Sequence, residues 1–138
     1  MVRVKEHLRS AEEFYETGMK EYQEGRRIGD LMRMREGCEK VFHAYFEACS
    51  ALIQKGGLRE PESHGERAEM LYKLGERRLV EIGRDALVFL HKYAYYDSRI
   101  LPEDTEGSMK GVEEALTHVQ RKVKKASFST SPQSLAPE

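Results

Sequence analysis

The most restrictive feature of this 138-residue chain is an apolar pattern that recurs every three or four residues along almost its whole length. It is clearest in the segment 31–55, where these side chains trace one broad face: Leu31, Met34, Cys38, Val41, Phe42, Tyr45, Ala48, Cys49, Leu52 and Ile53. Such spacing is typical of an amphipathic α-helix, and no segment alternates as a β-strand does. The chain is therefore predicted to be all-α.

The same spacing, together with capping residues, predicts five helices at about 4–24, 31–55, 63–74, 78–97 and 104–125. Asp30 is a good N-cap for the second helix, and Ser63 with Glu66 has the spacing of a capping box at the start of the third. Gly56 and Gly57 end the second helix. We expect a compact bundle of four to five helices with antiparallel, up-and-down packing.

Residues 1–125 are predicted to form this single bundle domain. Residues 126–138 are rich in Ser and Pro and contain too few apolar side chains to fold alone, so a flexible C-terminal tail is predicted there. The amino terminus lacks the apolar run of a signal peptide, and no window resembles a membrane span. A cytoplasmic protein without membrane contact is expected.

Charge and composition narrow the class of protein further. A net charge of -1 argues against a strongly basic protein that coats nucleic acid, although it leaves room for a small basic cleft. The chain is 34% charged and contains no Asn, which favours a thermophilic source. Cys38 and Cys49 lie eleven residues apart in one predicted helix, too far to bridge, and are expected to be core-facing thiols in a reducing compartment.

Arg84 and His91 lie seven residues apart in the fourth predicted helix. At α-helical geometry, steps of about 100° bring the two side chains within about 20° of each other around the axis, separated by about 10 Å along it. Arginine clamps phosphate with its fork of N–H groups, and histidine moves a proton near neutral pH. The spacing therefore predicts that both side chains hold one anionic ligand.

No metal site and no cofactor are predicted. The remaining histidines and the cysteines lack the spacing of metal ligands. Gly56 and Gly57 lack the lysine and serine that would follow in a phosphate-binding loop.

Two segments of the chain resemble the PaREP1 family of archaeal proteins. One begins Gly37-Cys-Glu39-Lys40-Val-Phe-His and continues through Ala51-Leu-Ile-Gln-Lys-Gly, and the other is Ala86-Leu-Val-Phe-Leu-His91-Lys-Tyr-Ala-Tyr-Tyr-Asp97. In that family a helix with a Glu-Lys pair ends in a glycine-containing loop, and a later leucine–histidine segment precedes aromatic and acidic residues. The resemblance covers about residues 8–123.

This resemblance implies a bundle similar to the HEPN superfamily, whose members commonly dimerise and include nucleotide-binding modules and metal-independent ribonucleases. The nuclease motif, an arginine followed after four to six residues by a histidine, falls on Arg84 and His91. The histidine–any residue–tyrosine extension falls on His91-Lys92-Tyr93. The chain departs from the motif at Asp85, where many nuclease members have a polar residue, often Asn, and it has six intervening residues where four are preferred.

The predicted function is binding of a nucleotide or RNA through the face that carries Arg84 and His91. Glu39 and Lys40 are expected to orient the histidine and to contact phosphate, and Tyr93 or Tyr95 to stack on a base, which contributes about 1–3 kcal/mol per base. In the catalytic alternative, His91 is the general acid or base and Arg84 stabilises the phosphorane charge.

Other interpretations stay open at the level of the sequence. In a purely structural interpretation, Arg84 forms an ion pair with Glu81 or Asp85 on a solvated face, and His91 packs at the boundary between two helices. In a ribonuclease, the two-fold axis of a homodimer brings two Arg/His sets together. In a non-catalytic dimeric interaction module, the bundle partners a nucleotidyltransferase or an ATPase through a large apolar face.

Overall fold

A computed structural model of the chain describes residues 2–129, with side chains for 3–124. The helices are α1 (Val2–Ile28), α2 (Leu31–Lys55), α3 (His64–Lys73), α4 (Arg77–Ala86) and α5 (Pro102–Ser129). The chain continues from α4 without a break into a π-helical stretch, Leu87–Tyr96, called here the π segment. Residues 2–129 contain no β-strand. The prediction of an all-α bundle is confirmed.

Four long elements, α1, α2, α4 with the π segment, and α5, run alternately up and down. In each neighbouring pair of elements, residues later in the first element contact residues earlier in the second. The contacts are Gly18 with Gly37 and Gly25 with Met34 between α1 and α2, Arg35 with Tyr95 and Glu39 with His91 between α2 and the π segment, and Glu76 with His118 and Arg78 with Glu114 between α4 and α5. Opposite order is the signature of antiparallel neighbours. The short helix α3 crosses between α2 and α4 and contacts both.

The α1–α2 hairpin is the most extensive interface of the bundle. Gly29 has a φ of +76° in the connecting turn, and the Asp30 side chain accepts a hydrogen bond from the Arg33 N–H at 3.1 Å. Both backbones come close at Gly18 and Gly37, where an added Cβ would lie within 3 Å of backbone atoms on the other helix. These glycines allow α1 and α2 to pack more tightly than side chains would permit.

The predicted core thiols are confirmed. Cys38 and Cys49 are free and buried among the apolar residues of α2. Burial raises the pKa of each thiol to about 12. Both therefore behave as small apolar side chains at neutral pH.

Helix boundaries agree with the sequence for α2 and α3, whereas α1 ends at Ile28 instead of about residue 24 and the fourth predicted helix becomes π-helical from Leu87. The structure begins and ends α2 at the predicted residues, and Ser63 accepts a hydrogen bond from the Glu66 N–H at 3.0 Å at the start of α3. Helix α5 continues to Ser129, so the tail predicted from residue 126 is helical over its first four residues. The rest of that predicted tail, 130–138, lies outside the described residues. None of the described helices is long and apolar enough to cross a membrane.

Candidate functional site

The third long element changes its hydrogen-bonding pattern midway, where α4 gives way to the π segment. The N–H of Asp97 donates at 3.0 Å to the carbonyl oxygen of Lys92, five residues earlier, which is the π-helical bond. A π-helical turn holds more residues than an α-helical turn, so each step rotates less about the axis. Side chains in the π segment therefore leave the face that α-helical spacing predicts. Such segments occur frequently at functional sites.

Two residues of α2, Arg35 and Glu39, hold the π segment in place. Arg35 donates from Nε and Nη2 to the Tyr95 carbonyl oxygen at 3.0 and 2.6 Å. Glu39 accepts from Nδ1 of His91 at 2.9 Å. The two α2 residues are four apart and so lie on one face of that helix. Together they fix the rotation of the π segment against α2.

Glu39 is partly buried and joins two histidines. Its carboxylate oxygens lie 2.9 and 3.2 Å from Nδ1 of His91, and Oε2 lies 3.5 Å from Nε2 of His43. Burial raises the pKa of the Glu39 carboxyl, but hydrogen bonds and charge from the two histidines outweigh it and hold that pKa below its ordinary value. Glu39 is therefore ionised at neutral pH. Nδ1 of His91 therefore carries a hydrogen, and in the tautomer that this contact selects Nε2 is the acceptor.

Aromatic rings surround the imidazole of His91. The Phe42 ring stacks on it, with centroids 4.8 Å apart and 28° between the planes. The Tyr95 ring is nearly parallel at 6.4 Å, and the Tyr96 ring approaches edge-on at 4.9 Å. Phe42 is buried, whereas Tyr96 is 67% exposed, so the Tyr96 side of this group of rings reaches solvent.

A second imidazole, that of His64 at the start of α3, borders the same rings. Its centroid lies 6.3 Å from that of His91 and 5.9 Å from that of Phe42. Nη1 of Arg67 lies 3.0 Å from Nδ1 of His64, and the Arg67 guanidinium lies 4.0 Å above the Phe46 ring. Partial burial, followed by the charges of Arg67 and His91, holds the pKa of His64 below its ordinary value. His64 is therefore neutral at pH 7.

We call Glu39, Phe42, His64, Arg67 and His91 the imidazole cluster. A cavity of about 110 Å³ opens beside it between α2, α3 and α4, and its lining includes Phe42, His64, Arg67 and Arg84. Nη2 of Arg84 donates to the Tyr72 hydroxyl at 3.0 Å. Arg84 thus lines the same cavity as Phe42, His64 and Arg67.

The charges of Arg67 and Arg84 are not neutralised locally. Among the described side chains, neither guanidinium lies within ion-pair distance of a carboxylate, since their partners are the neutral groups of His64 and Tyr72. By contrast, Arg78 on the same helix as Arg84 pairs with two glutamates. The region around the cavity is therefore locally positive on a chain whose net charge is -1.

The prediction that Arg84 and His91 share one helix face is corrected by the structure. The 100° steps behind that prediction stop applying at Leu87, where the π segment begins. His91 instead packs against Glu39 and Phe42, while Arg84 lines the neighbouring cavity. Within residues 3–124 there is no hydrogen bond between the two side chains.

Lys40 lies outside the cluster, contrary to its predicted place beside Glu39. Its Nζ donates at 2.7 Å to Oε2 of Glu21 on α1. Consecutive residues of an α-helix point about 100° apart, so Lys40 cannot share the face that Glu39 presents to the π segment. Its charge is occupied by Glu21, and a role in phosphate binding at this site is not supported by its position.

The two predicted stacking tyrosines separate. Tyr95 lies beside His91, and its ring is nearly parallel to the imidazole. Tyr93 instead packs against Phe89, with centroids 5.8 Å apart, and its ring lies 5.9 Å from the Arg99 guanidinium. Tyr93 therefore contributes to a different surface of the π segment.

Sequence reasoning missed His64 and Arg67. The available signal was the cap at Ser63, which begins α3 and makes the next turn helical. Residues three apart on a helix lie on one face, so His64 and Arg67 could have been paired from that start. Their approach to Phe42 and Phe46 depends on how α3 crosses α2, which no local pattern specifies.

Within the described residues, no group of three or more His, Cys, Asp or Glu side chains is arranged to hold a metal ion. Comparison of the chain with protein-family models, with curated proteins and with solved structures found no match.

Proposed function

We propose that the protein binds a nucleotide or single-stranded RNA at the imidazole cluster. The observation that carries the proposal is His91, held by Glu39 beside the exposed Tyr96 ring. It contacts rings that line a cavity with two guanidiniums that lack carboxylate partners. Each part of a nucleotide has a suitable partner in this region. The arginines can bind phosphate, the ring of Tyr96 or Tyr95 can stack on an unpaired base, and the imidazole can hydrogen-bond to the ribose.

We also propose a family, an oligomeric state and a compartment for the protein. On the resemblance to the PaREP1 family we assign the chain to HEPN-like proteins. The up-and-down bundle of four long elements, with Arg84 and His91 both on the third of them, supports this assignment. A homodimer in the cytoplasm is part of the same proposal. The free, buried thiols of Cys38 and Cys49 are compatible with a reducing compartment.

Binding is tested by fluorescence anisotropy with a labelled single-stranded RNA of about a dozen nucleotides, at fixed low salt because phosphate contacts weaken as salt rises. His91→Ala and Arg84→Ala are compared with two matched controls. Arg78→Ala removes another exposed arginine of α4, and His118→Ala removes another histidine that is bonded to a glutamate.

We expect His91→Ala and Arg84→Ala each to weaken binding about tenfold, the effect of one charge-assisted contact. The two controls should bind as the wild type does. If wild type shows no saturable binding to RNA or to nucleoside phosphates, the proposal fails. An interaction module then becomes the better account, with the exposed Ile28, Leu31 and Met32 near the α1–α2 turn as its candidate surface.

A ribonuclease is the second candidate, favoured by the free Nε2 of His91 with Glu39 behind it. In that reaction Nε2 takes the proton of a 2′-hydroxyl, whose oxygen attacks the adjacent phosphorus. The 5′-oxygen leaves and takes a proton from water, giving a 2′,3′-cyclic phosphate and a 5′-hydroxyl, and Nε2 then releases to solvent the proton that it took. Arg84 stabilises the charge on the phosphorane.

Cleavage is measured in the presence of EDTA, and the product ends are identified by mass spectrometry. We expect His91→Ala and Arg84→Ala to lose activity, with Arg78→Ala as the control. Intact RNA after prolonged incubation with wild type excludes turnover on the substrates tested and leaves binding as the function.

A further inference from the structure

We propose that His64 is a second ligand-binding imidazole, which donates a hydrogen bond to a phosphate oxygen while His91 accepts one from the neighbouring 2′-hydroxyl. The inference rests on the proposed function, because it assigns the two rings to two groups of one bound ribonucleotide. It predicts a site that distinguishes RNA from DNA.

The positions of the two rings support a shared ligand. Both imidazoles border the buried Phe42 ring, with centroids 4.8 Å away for His91 and 5.9 Å away for His64. Their own centroids are 6.3 Å apart. Since a hydrogen bond spans about 2.8 Å, both rings can reach adjacent oxygens of one nucleotide.

The hydrogen-bond partners of the two rings leave their remaining nitrogens with opposite polarity. Glu39 accepts from Nδ1 of His91, which leaves Nε2 of that ring as an acceptor. Arg67 has only donors and lies 3.0 Å from Nδ1 of His64, so this nitrogen accepts and Nε2 carries the hydrogen. One ring therefore offers an acceptor and the other a donor, as a hydroxyl next to a phosphate requires.

The surrounding charges match this division. Arg67 and Arg84, which lack carboxylate partners, border the cavity on the His64 side. The carboxylate of Glu39 lies behind His91. A phosphate is therefore attracted toward His64, and a neutral hydroxyl is better placed beside His91.

The 2′-hydroxyl is the group that separates the two sugars. A deoxyribose presents no donor to Nε2 of His91, whereas its phosphate still meets His64 and the arginines. All of these groups belong to one chain, so ribose selection requires no second copy. The exposed position of His64 also makes it accessible to ligand and tolerant of substitution.

The test compares three labelled single strands of identical base sequence: RNA, DNA and 2′-O-methyl RNA. Binding is measured by anisotropy in EDTA on ice, with RNA integrity checked on a gel. The variants are His64→Ala, His64→Gln and His91→Ala, and His118→Ala is the control. Circular dichroism checks that each variant is folded. If His64→Ala does not fold, His64→Gln, which keeps an N–H donor, replaces it in the comparison.

We expect wild type to bind RNA about fivefold more tightly than DNA or 2′-O-methyl RNA, the effect of one hydrogen bond. His64→Ala should weaken binding of RNA and DNA by similar factors and leave their ratio unchanged, and His64→Gln should recover part of the loss. His91→Ala should bring the ratio close to one.

The inference is overturned if His64→Ala binds all three strands as wild type does, or if wild type binds RNA and DNA equally. Either result leaves the proposed function standing, because saturable binding is still observed. Absence of binding to every strand overturns both.

Discussion

Nδ1 of His91 lies 2.9 Å from Oε1 of Glu39 across the interface between α2 and the π segment, with side-chain exposures of 23% and 16%. Partial burial reduces the competition from water, so this hydrogen bond contributes more than an exposed ion pair does. The same contact orients the imidazole. Stability and the proposed ligand binding therefore depend on one pair of side chains.

A double-mutant cycle measures this coupling. We expect Glu39→Ala and His91→Ala to be non-additive by about 1 kcal/mol in the free energy of unfolding at pH 7, determined by urea denaturation. The exposed pair Arg78 and Glu114 provides the comparison, and coupling of that pair should be smaller. Additive losses at Glu39 and His91 would show that their hydrogen bond does not stabilise the fold.

Glu39 also predicts a dependence of stability on pH. Its pKa in the folded protein lies below the ordinary 4.5, so below that pH the unfolded chain binds more protons at this carboxyl than the folded chain does. The stabilisation is present above pH 4.5 and is lost as the pH falls through the folded pKa. The difference in unfolding free energy between wild type and Glu39→Gln should shrink between pH 5 and pH 3, as measured by urea titrations. A constant difference over that range would contradict this account.

The fold was largely predictable because its signals are local. Asp30 and Ser63 cap the helices that they were predicted to cap, and α2 spans the predicted residues. Apolar spacing and caps act within a few residues, so the helices that they specify do not depend on how distant segments pack. The end of α5 differed because Ser and Lys near residue 126 are permissive in a helix and give no stop signal.

The site was only partly predictable because its geometry is not local. Glu39 was expected near His91 and lies there, whereas the adjacent Lys40 faces α1. The π segment changes which residues share a face, and nothing in its sequence distinguishes it from an α-helix. His64 and Arg67 join through the packing of α3 on α2, which depends on contacts between segments far apart in sequence.

Arg35 is predicted to hold the end of the π segment. Its guanidinium supplies two donors to the Tyr95 carbonyl, close to a helix end where carbonyls lack partners within the helix. Arg35→Ala should lower the free energy of unfolding by about 1–2 kcal/mol and increase hydrogen exchange selectively in the π segment. Arg35→Lys keeps one donor and should have a smaller effect. Unchanged exchange in both variants would show that other contacts maintain the segment.

Cys38 and Cys49 should be unreactive in the folded protein. Each thiol is buried and has a pKa raised to about 12, so the thiolate that attacks a disulfide reagent is scarce at pH 8. In buffer, we expect Ellman's reagent to react with neither thiol on the timescale of minutes. In about 6 M guanidinium chloride, which unfolds most domains, it should react with both at once. Rapid reaction of the native protein would indicate that the α2 face opens readily.

Gly37 is predicted to be the least replaceable residue of the α1–α2 interface. A Cβ there would lie 2.6 Å from the Gly18 carbonyl oxygen and from the Tyr22 nitrogen, which are backbone atoms that move only if the two helices separate. Gly37→Ala should therefore cost about 3 kcal/mol in urea denaturation, at the upper end for overpacking. Gly107→Ala is the matched control, because a Cβ on this exposed position of α5 meets no atom within 4 Å. It should stabilise by about 0.5–1 kcal/mol through helix propensity alone. If both variants were equally stable, close backbone approach would not be what fixes the hairpin, and α1 would be free to sit farther from α2.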